Sequence, residues 1–265
     1  MRSVQPSASS SVDLDARLAG AVRAVTDGRD GEVSVAVLDV AAGRRAVYAP
    51  DGTTYDTASI VKVDVLAALL LRAQDAGRAL TARERTLAAA MIERSDNAAT
   101  TALWDAIGGA DGLDAANERL GLRRTSGGDG PLWGLTQTTA ADQLTLLREV
   151  FGVGDNVLSA ASRAYVQGLM GNVERDQAWG VSAAGPAGAA GAELKNGWLR
   201  RGTTGLWVIN SVGRVRVGGE QFLVAVVSRG SATMEGGIAL VEGAAKAAVR
   251  PRSPGPDTRE HVTGQ

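Results

Sequence analysis

The chain holds 265 residues, 45% hydrophobic and 22% charged, with a formal net charge of −1 and no cysteine. These proportions allow a sizeable core. They exclude disulfides and thiolate chemistry, and they leave no concentrated basic surface for nucleic acid or an anionic membrane. The one histidine, His261, lies in a polar tail, so this chain alone cannot build a Ser-His-Asp triad or a multi-histidine metal site. No metal and no other cofactor is expected.

In chain order, the N-terminal MRSVQPSASSSVD is polar and Ser-rich, with no apolar run, and does not read as a signal peptide. Residues 1–11 are expected to be disordered. Leu14, Leu18, Val22 and Val25 recur at the spacing of one helical face. Val33 to Val40 is rich in β-branched residues, and Arg45 to Tyr48 can pair with it across a turn at Ala42 and Gly43. A long helix is predicted from near Ser59 to Ala76, with Gly77 as its left-handed C-terminal residue. Its apolar stretch, Val65 to Leu71, is far short of the roughly 20 residues that span a bilayer. Thr81 and Glu84 form a capping-box pattern that opens a helix over Ala82 to Glu93. Further helices are predicted near Ala98–Ile107, Leu113–Leu120, Ala140–Val150 and Ala160–Met170.

The pattern returns to strands after a Gly/Ala loop from Ala183 to Ala192: Glu193–Leu199, Leu206–Val212 and Gln221–Val227. An Ala-rich helix follows over Met234–Val249, then PRSPGPDTREHVTGQ, expected to be disordered together with His261. This order predicts an α+β fold: one antiparallel sheet built from both chain ends, flanked by helices, with an all-helical lobe inserted. The expected organisation is a single domain over 12–250, with an α/β lobe (12–58 plus 180–250) and a helical lobe (59–179).

Lys62, Lys195 and Lys246 are the only lysines, and unlike arginine a desolvated lysine can lose its proton near neutral pH. Ser59 opens the long helix and Lys62 follows three residues on, on the same face and within reach of the hydroxyl. A hydroxyl needs a base to become a nucleophile, and an apolar setting prepares a lysine for that task. Taken alone, the motif also fits an N-cap serine beside a solvated lysine. Ser95-Asp96-Asn97 alone is an ordinary cap or turn, and Lys195-Asn196-Gly197-Trp198 alone is an edge-strand charge beside a bulge glycine.

Together the three elements resemble the serine β-lactamase and penicillin-binding protein superfamily, class A β-lactamases in particular, over Leu14 to Val249. Trp133-Gly-Leu-Thr-Gln-Thr-Thr139-Ala-Ala-Asp is similar to the Thr-Thr start of the helix after that family's omega loop. The resemblance implies Ser59 as the acylated nucleophile and Lys62 as its proton acceptor. It makes Ser95 a proton relay assisted by Lys195, which also attracts a substrate carboxylate. Asn97 would bind a substrate amide, and the N–H groups of Ser59 and of Trp198, after Gly197, would form the oxyanion hole. Asp96 is read as a structural tie. The partner is a small-molecule substrate (a β-lactam, peptide or ester), the chain is expected to be monomeric, and the family's usual compartment is outside the cytoplasm.

Three departures narrow this expectation. Asn196 replaces the family's Thr or Ser hydroxyl, so binding of the substrate carboxylate is in question. The Ser59–Ser95 segment is shorter than in typical class A β-lactamases, which predicts a more open cleft. The stretch from Arg123 to Trp133 lacks the glutamate that activates the deacylating water; its one carboxylate, Asp129, is flanked by glycines and reads as a turn residue. Trp104 reads as core, Glu93 and the Arg200-Arg201 pair as solvated charges, and Trp198 and Trp207 as either packing or cleft lining. The resulting expectation is a serine hydrolase that forms a Ser59 acyl-enzyme on β-lactams or related amides and esters. The alternatives are a D,D-peptidase or esterase on the same fold, or a non-catalytic β-lactam-binding sensor.

Overall fold

The computed structural model describes residues 8–50, 52–186 and 188–250. The expected C-terminal tail with His261, and residues 1–7, lie outside them. Helix α1 spans Ala8–Thr26. Strands β1 (Glu32–Asp39) and β2 (Arg44–Tyr48) form the first hairpin. Three longer strands, β5 (Ala192–Arg200), β6 (Trp207–Val217) and β7 (Glu220–Ser231), come from the other chain end. All pair antiparallel in the order β2-β1-β7-β6-β5, with β1 against β7 joining the two ends of the chain.

The period-2 alternation of strand side chains explains why both faces of this sheet are apolar. Val33, Val35 and Val37 of β1 join Val224 and Val226 of β7 on one face, under Leu18 and Val22 of α1 and Leu240, Val241 and Ala244 of α8 (Met234–Ala248). Ala36, Leu38, Leu223, Ala225 and Val227 face the other core. That core is completed by α2 (Val61–Asp75), α3 (Ala82–Glu93), α4 (Asn97–Ile107), α5 (Gly109–Leu120), α6 (Ala140–Phe151) and α7 (Ala160–Met170). A short ribbon of β3 (Tyr55–Asp56) and β4 (Gln137–Thr138), not visible in the sequence pattern, joins the chain before Ser59 to the loop before α6.

Local signals set the ends. Thr81 and Glu84 form the reciprocal capping box of α3. Helix α2 ends at Asp75, and Gly77, at φ +62°, turns the chain away. Among the described residues no helix is long and apolar enough to cross a membrane.

Candidate active site

Ser59 lies in a 3-10 turn, Ala58–Ile60, that leads into α2. Ala58 there has φ +47°, a left-handed conformation that L-residues other than glycine, asparagine and aspartate seldom adopt, held by its surroundings. Three hydrogen bonds fix the two residues before it. Thr57 N donates to Thr136 O at 2.8 Å, and Asn210, buried in the middle of β6, donates from Nδ2 to Asp56 O (2.8 Å) and Thr57 O (2.9 Å). Asn210 Oδ1 in turn accepts from Ser228 N of β7 at 2.9 Å. A polar residue inside the apolar run VINSV was the available sequence signal for this clamp.

Strand β5 is the sheet edge and runs against this turn. Gly197 is where the two backbones meet: a Cβ there would lie 2.7 Å from Ser59 N, 2.8 Å from Ile60 N and 2.8 Å from Thr57 O. Only glycine permits that approach. Trp198, the next residue, lines the cleft and also packs a tilted ring against Trp179, centroids 5.9 Å apart.

Lys62 sits one turn into the helical segment and is 0% exposed. Its Nζ donates to Ser95 O at 2.7 Å, Ser95 Oγ at 2.9 Å and Asn97 Oδ1 at 2.9 Å. Burial lowers its pKa to about 7, against a smaller opposing pull from Asp96. The indole of Trp133 covers the ammonium from 4.9 Å and is fixed by an Nε1 hydrogen bond to Thr101 Oγ1 at 3.2 Å. An aromatic face favours the cation, but only by about 0.5–2 kcal/mol, so desolvation prevails. Trp133 reaches Lys62 through folding of a loop distant in sequence, where it meets Thr101 of α4, and no local pattern announced this pairing.

Lys195 is likewise 0% exposed, and its Nζ donates to Ser95 Oγ and to Asn196 O, both at 3.0 Å. Burial, and then the neighbouring Lys62, push its pKa well below the ordinary lysine value. Ser95 holds this position at φ +56°, and Asp96 accepts from Ala99 N at 2.7 Å as the N-cap of α4.

Asn196, the residue in place of the family's hydroxyl, does not line the cleft. It is buried, and Nδ2 donates to Gln177 O (2.8 Å) and Trp179 O (2.9 Å). Both amide protons are used there, so this side chain does not offer a donor to a carboxylate in the cleft. Lys195 also does not line the cleft. Ser59, Asn97, Trp133 and Trp198 do, around a cavity of about 420 Å³, and Ser59 Oγ has no hydrogen bond to the described residues. Asp129 is exposed and outside the cavity lining, and its carbonyl accepts from Leu132 N in a turn.

Of the other aromatic and charged candidates, Trp104 is buried and donates to Gly130 O at 2.9 Å, Trp207 lines a separate cavity, and Arg201 pairs with Asp56 at 3.3 Å. Among the described residues no cluster of three His, Asp or Glu side chains could hold a metal ion. The arrangement therefore offers a turn-held hydroxyl, two desolvated amines around a second hydroxyl, and an adjacent apolar cavity.

The profile of the beta-lactamase enzyme family matches residues 72–250, beginning after Ser59 and Lys62. Solved structures share the fold, three of them as follows. TLA-1 extended-spectrum β-lactamase superposes with a TM-score of 0.74 at 16% identity, over 88% of this chain and 97% of that one. PBP-A gives 0.73 at 19%, over 88% and 94%. A β-lactamase from Streptosporangium roseum gives 0.70 at 20%, over 89% and 98%. At these identities the likeness establishes the fold alone. No curated protein sequence matches the chain.

Proposed function

The chain belongs to the beta-lactamase enzyme family, and on that premise we propose that it is a serine hydrolase working through a Ser59 acyl-enzyme. The observation that carries this reading is the convergence of Lys62, one helical turn after Ser59, and of Lys195 on Ser95 Oγ, with Lys62 also bonded to Asn97 of the Ser59 cavity wall.

Lys62 takes the proton of Ser59 Oγ as the oxygen attacks the substrate carbonyl carbon. With a pKa of about 7 it is substantially neutral at physiological pH. The carbonyl oxygen becomes an oxyanion, held by the N–H groups of Ser59 and Trp198, which the Gly197 contact brings to one side of the cavity. Collapse breaks the bond to the leaving nitrogen or oxygen, which takes the hydroxyl proton of Ser95. Ser95 recovers a proton from the Lys62 ammonium. Water then attacks the ester on Ser59 and frees the acid.

Acylation outruns the last step in this account. The loop over Lys62 presents an indole there, and its one carboxylate, Asp129, is turned to solvent. A variant of PBP-A was solved as an acyl-enzyme complex with penicillin G, a precedent for a long-lived ester on this fold. Hydrolysis of an activated ester or a β-lactam, measured for the wild type and for Ser59→Ala, tests the reading: loss of turnover in the variant supports it, and unchanged turnover removes it.

A further inference from the structure

We propose that the Ser59 cavity takes an ester or amide with an apolar, aromatic-sized acyl group and no carboxylate beside the scissile carbonyl. This rests on the acyl-serine reading above and adds the substrate class.

Three observations converge. First, no residue lining the cavity carries a formal charge; beyond Ser59, Asn97 and Thr101 its walls are Pro131, Leu132, Trp133, Leu135, Trp198 and Leu199, with Ala58 and Gly134. An anionic group in such a cavity loses water and meets no charged side chain on its walls, only the neutral donors of Ser59, Asn97 and Thr101. Second, the groups that could have met a carboxylate are wholly or largely engaged elsewhere. Asn196 gives both amide protons to Gln177 O and Trp179 O, and Lys195, which is fully buried and lies outside the cavity lining, gives two of its three ammonium protons to Ser95 Oγ and Asn196 O. The hairpin arginines do not line the cavity: Arg200 donates to Gly205 O at 2.8 Å, and Arg201 pairs with Asp56. Third, the apolar wall reaches the rim. Leu132 is 51% exposed, next to a Trp133 ring hydrogen-bonded to Thr101. An apolar side chain left in water at a cavity mouth is covered when an apolar acyl group docks.

The test uses two matched pairs on the full chain. One is a cephalosporin and its carboxylate methyl ester, with the rate of Ser59 acylation read by intact mass and divided by each compound's rate with hydroxide. The other is 4-nitrophenyl phenylacetate and 4-nitrophenyl acetate, compared by kcat/KM. The methyl ester should acylate at least as fast as the free acid. The phenylacetate should be preferred by about tenfold or more, as burial of a ring implies, and Trp133→Ala should shrink that preference. A free acid that acylates faster than its ester, or equal kcat/KM for the two nitrophenyl esters, overturns this inference and leaves the acyl-serine reading standing. Absence of a Ser59 adduct with all four compounds overturns both.

Discussion

Lys62 and Lys195 share one acceptor, Ser95 Oγ, at 2.9 and 3.0 Å, although both lysines are fully buried. Two ammonium groups that close repel each other, and the hydroxyl between them must accept from both, leaving its own proton for a third partner. Ser95→Ala removes the shared acceptor and the proposed relay. The rate of Ser59 acylation should fall by about 10²- to 10⁴-fold, the range of a positioned acid–base group, while circular dichroism keeps the wild-type spectrum. Acylation within a factor of two of wild type would take Ser95 out of the reaction.

The pH profile follows from Lys62. Burial lowers its pKa from 10.5 to about 7, and only the neutral amine accepts a proton. Acylation should therefore rise with pH through about 7 and then level off. Lys62→Arg keeps a cation that cannot deprotonate in this range, so it should lose both the activity and the inflection. A flat profile from pH 5 to 9 in the wild type would contradict this assignment.

Gly197→Ala places a Cβ 2.7 Å from Ser59 N and 2.8 Å from Thr57 O, distances that require a backbone to move. The moved backbone carries the N–H groups proposed to hold the oxyanion. A fall in kcat of about 10²- to 10³-fold is expected, the effect of losing one such donor, and the substrate-free fold should persist by circular dichroism. Wild-type kcat in this variant would mean that these N–H groups do not bind the transition state.

Asp64, two residues beyond Lys62, is buried in α2, where the side-chain amide of Asn117 lies 2.9 and 3.0 Å from its two carboxyl oxygens and, turned with its nitrogen towards them, donates to both. Burial raises its pKa from 3.8 to about 8, outweighing the Asn117 bond. Between those values the folded chain holds a proton that the unfolded chain has released, so this group's contribution to stability falls as pH rises from about 4 to 8. Asp64→Asn does not titrate. The difference in Tm, variant minus wild type, should grow across that window and stay constant above it. A difference that is the same at pH 5 and pH 8 would show that Asp64 is ionised throughout.

Much of the fold was legible because local chemistry marks its boundaries: the Thr81–Glu84 capping box, Gly77 after α2, and the β-branched run of β1. The order of the strands is a long-range property, and the two-residue β3–β4 ribbon carries no pattern of its own. The scarcity of lysine made Lys62 and Lys195 stand out before any geometry was known. That the Asn196 donors go to the backbone of residues 177 and 179 was not legible, because both lie far outside any motif window. Trp133 reaches Lys62 only through folding of its loop. Two signals were present and unused: Asp64 inside an otherwise apolar helix, and Asn210 inside an apolar strand.

The central claim is that Ser59 becomes acylated. Intact mass followed over time, with peptide mapping, for the wild type and Ser59→Ala incubated with a penicillin, a cephalosporin and an activated aryl ester addresses it directly. The account predicts an added acyl mass on the peptide carrying Ser59, formed faster than it is lost, and no adduct on the variant. No adduct with any compound together with no Ser59-dependent hydrolysis, or an equal adduct on Ser59→Ala, would contradict it.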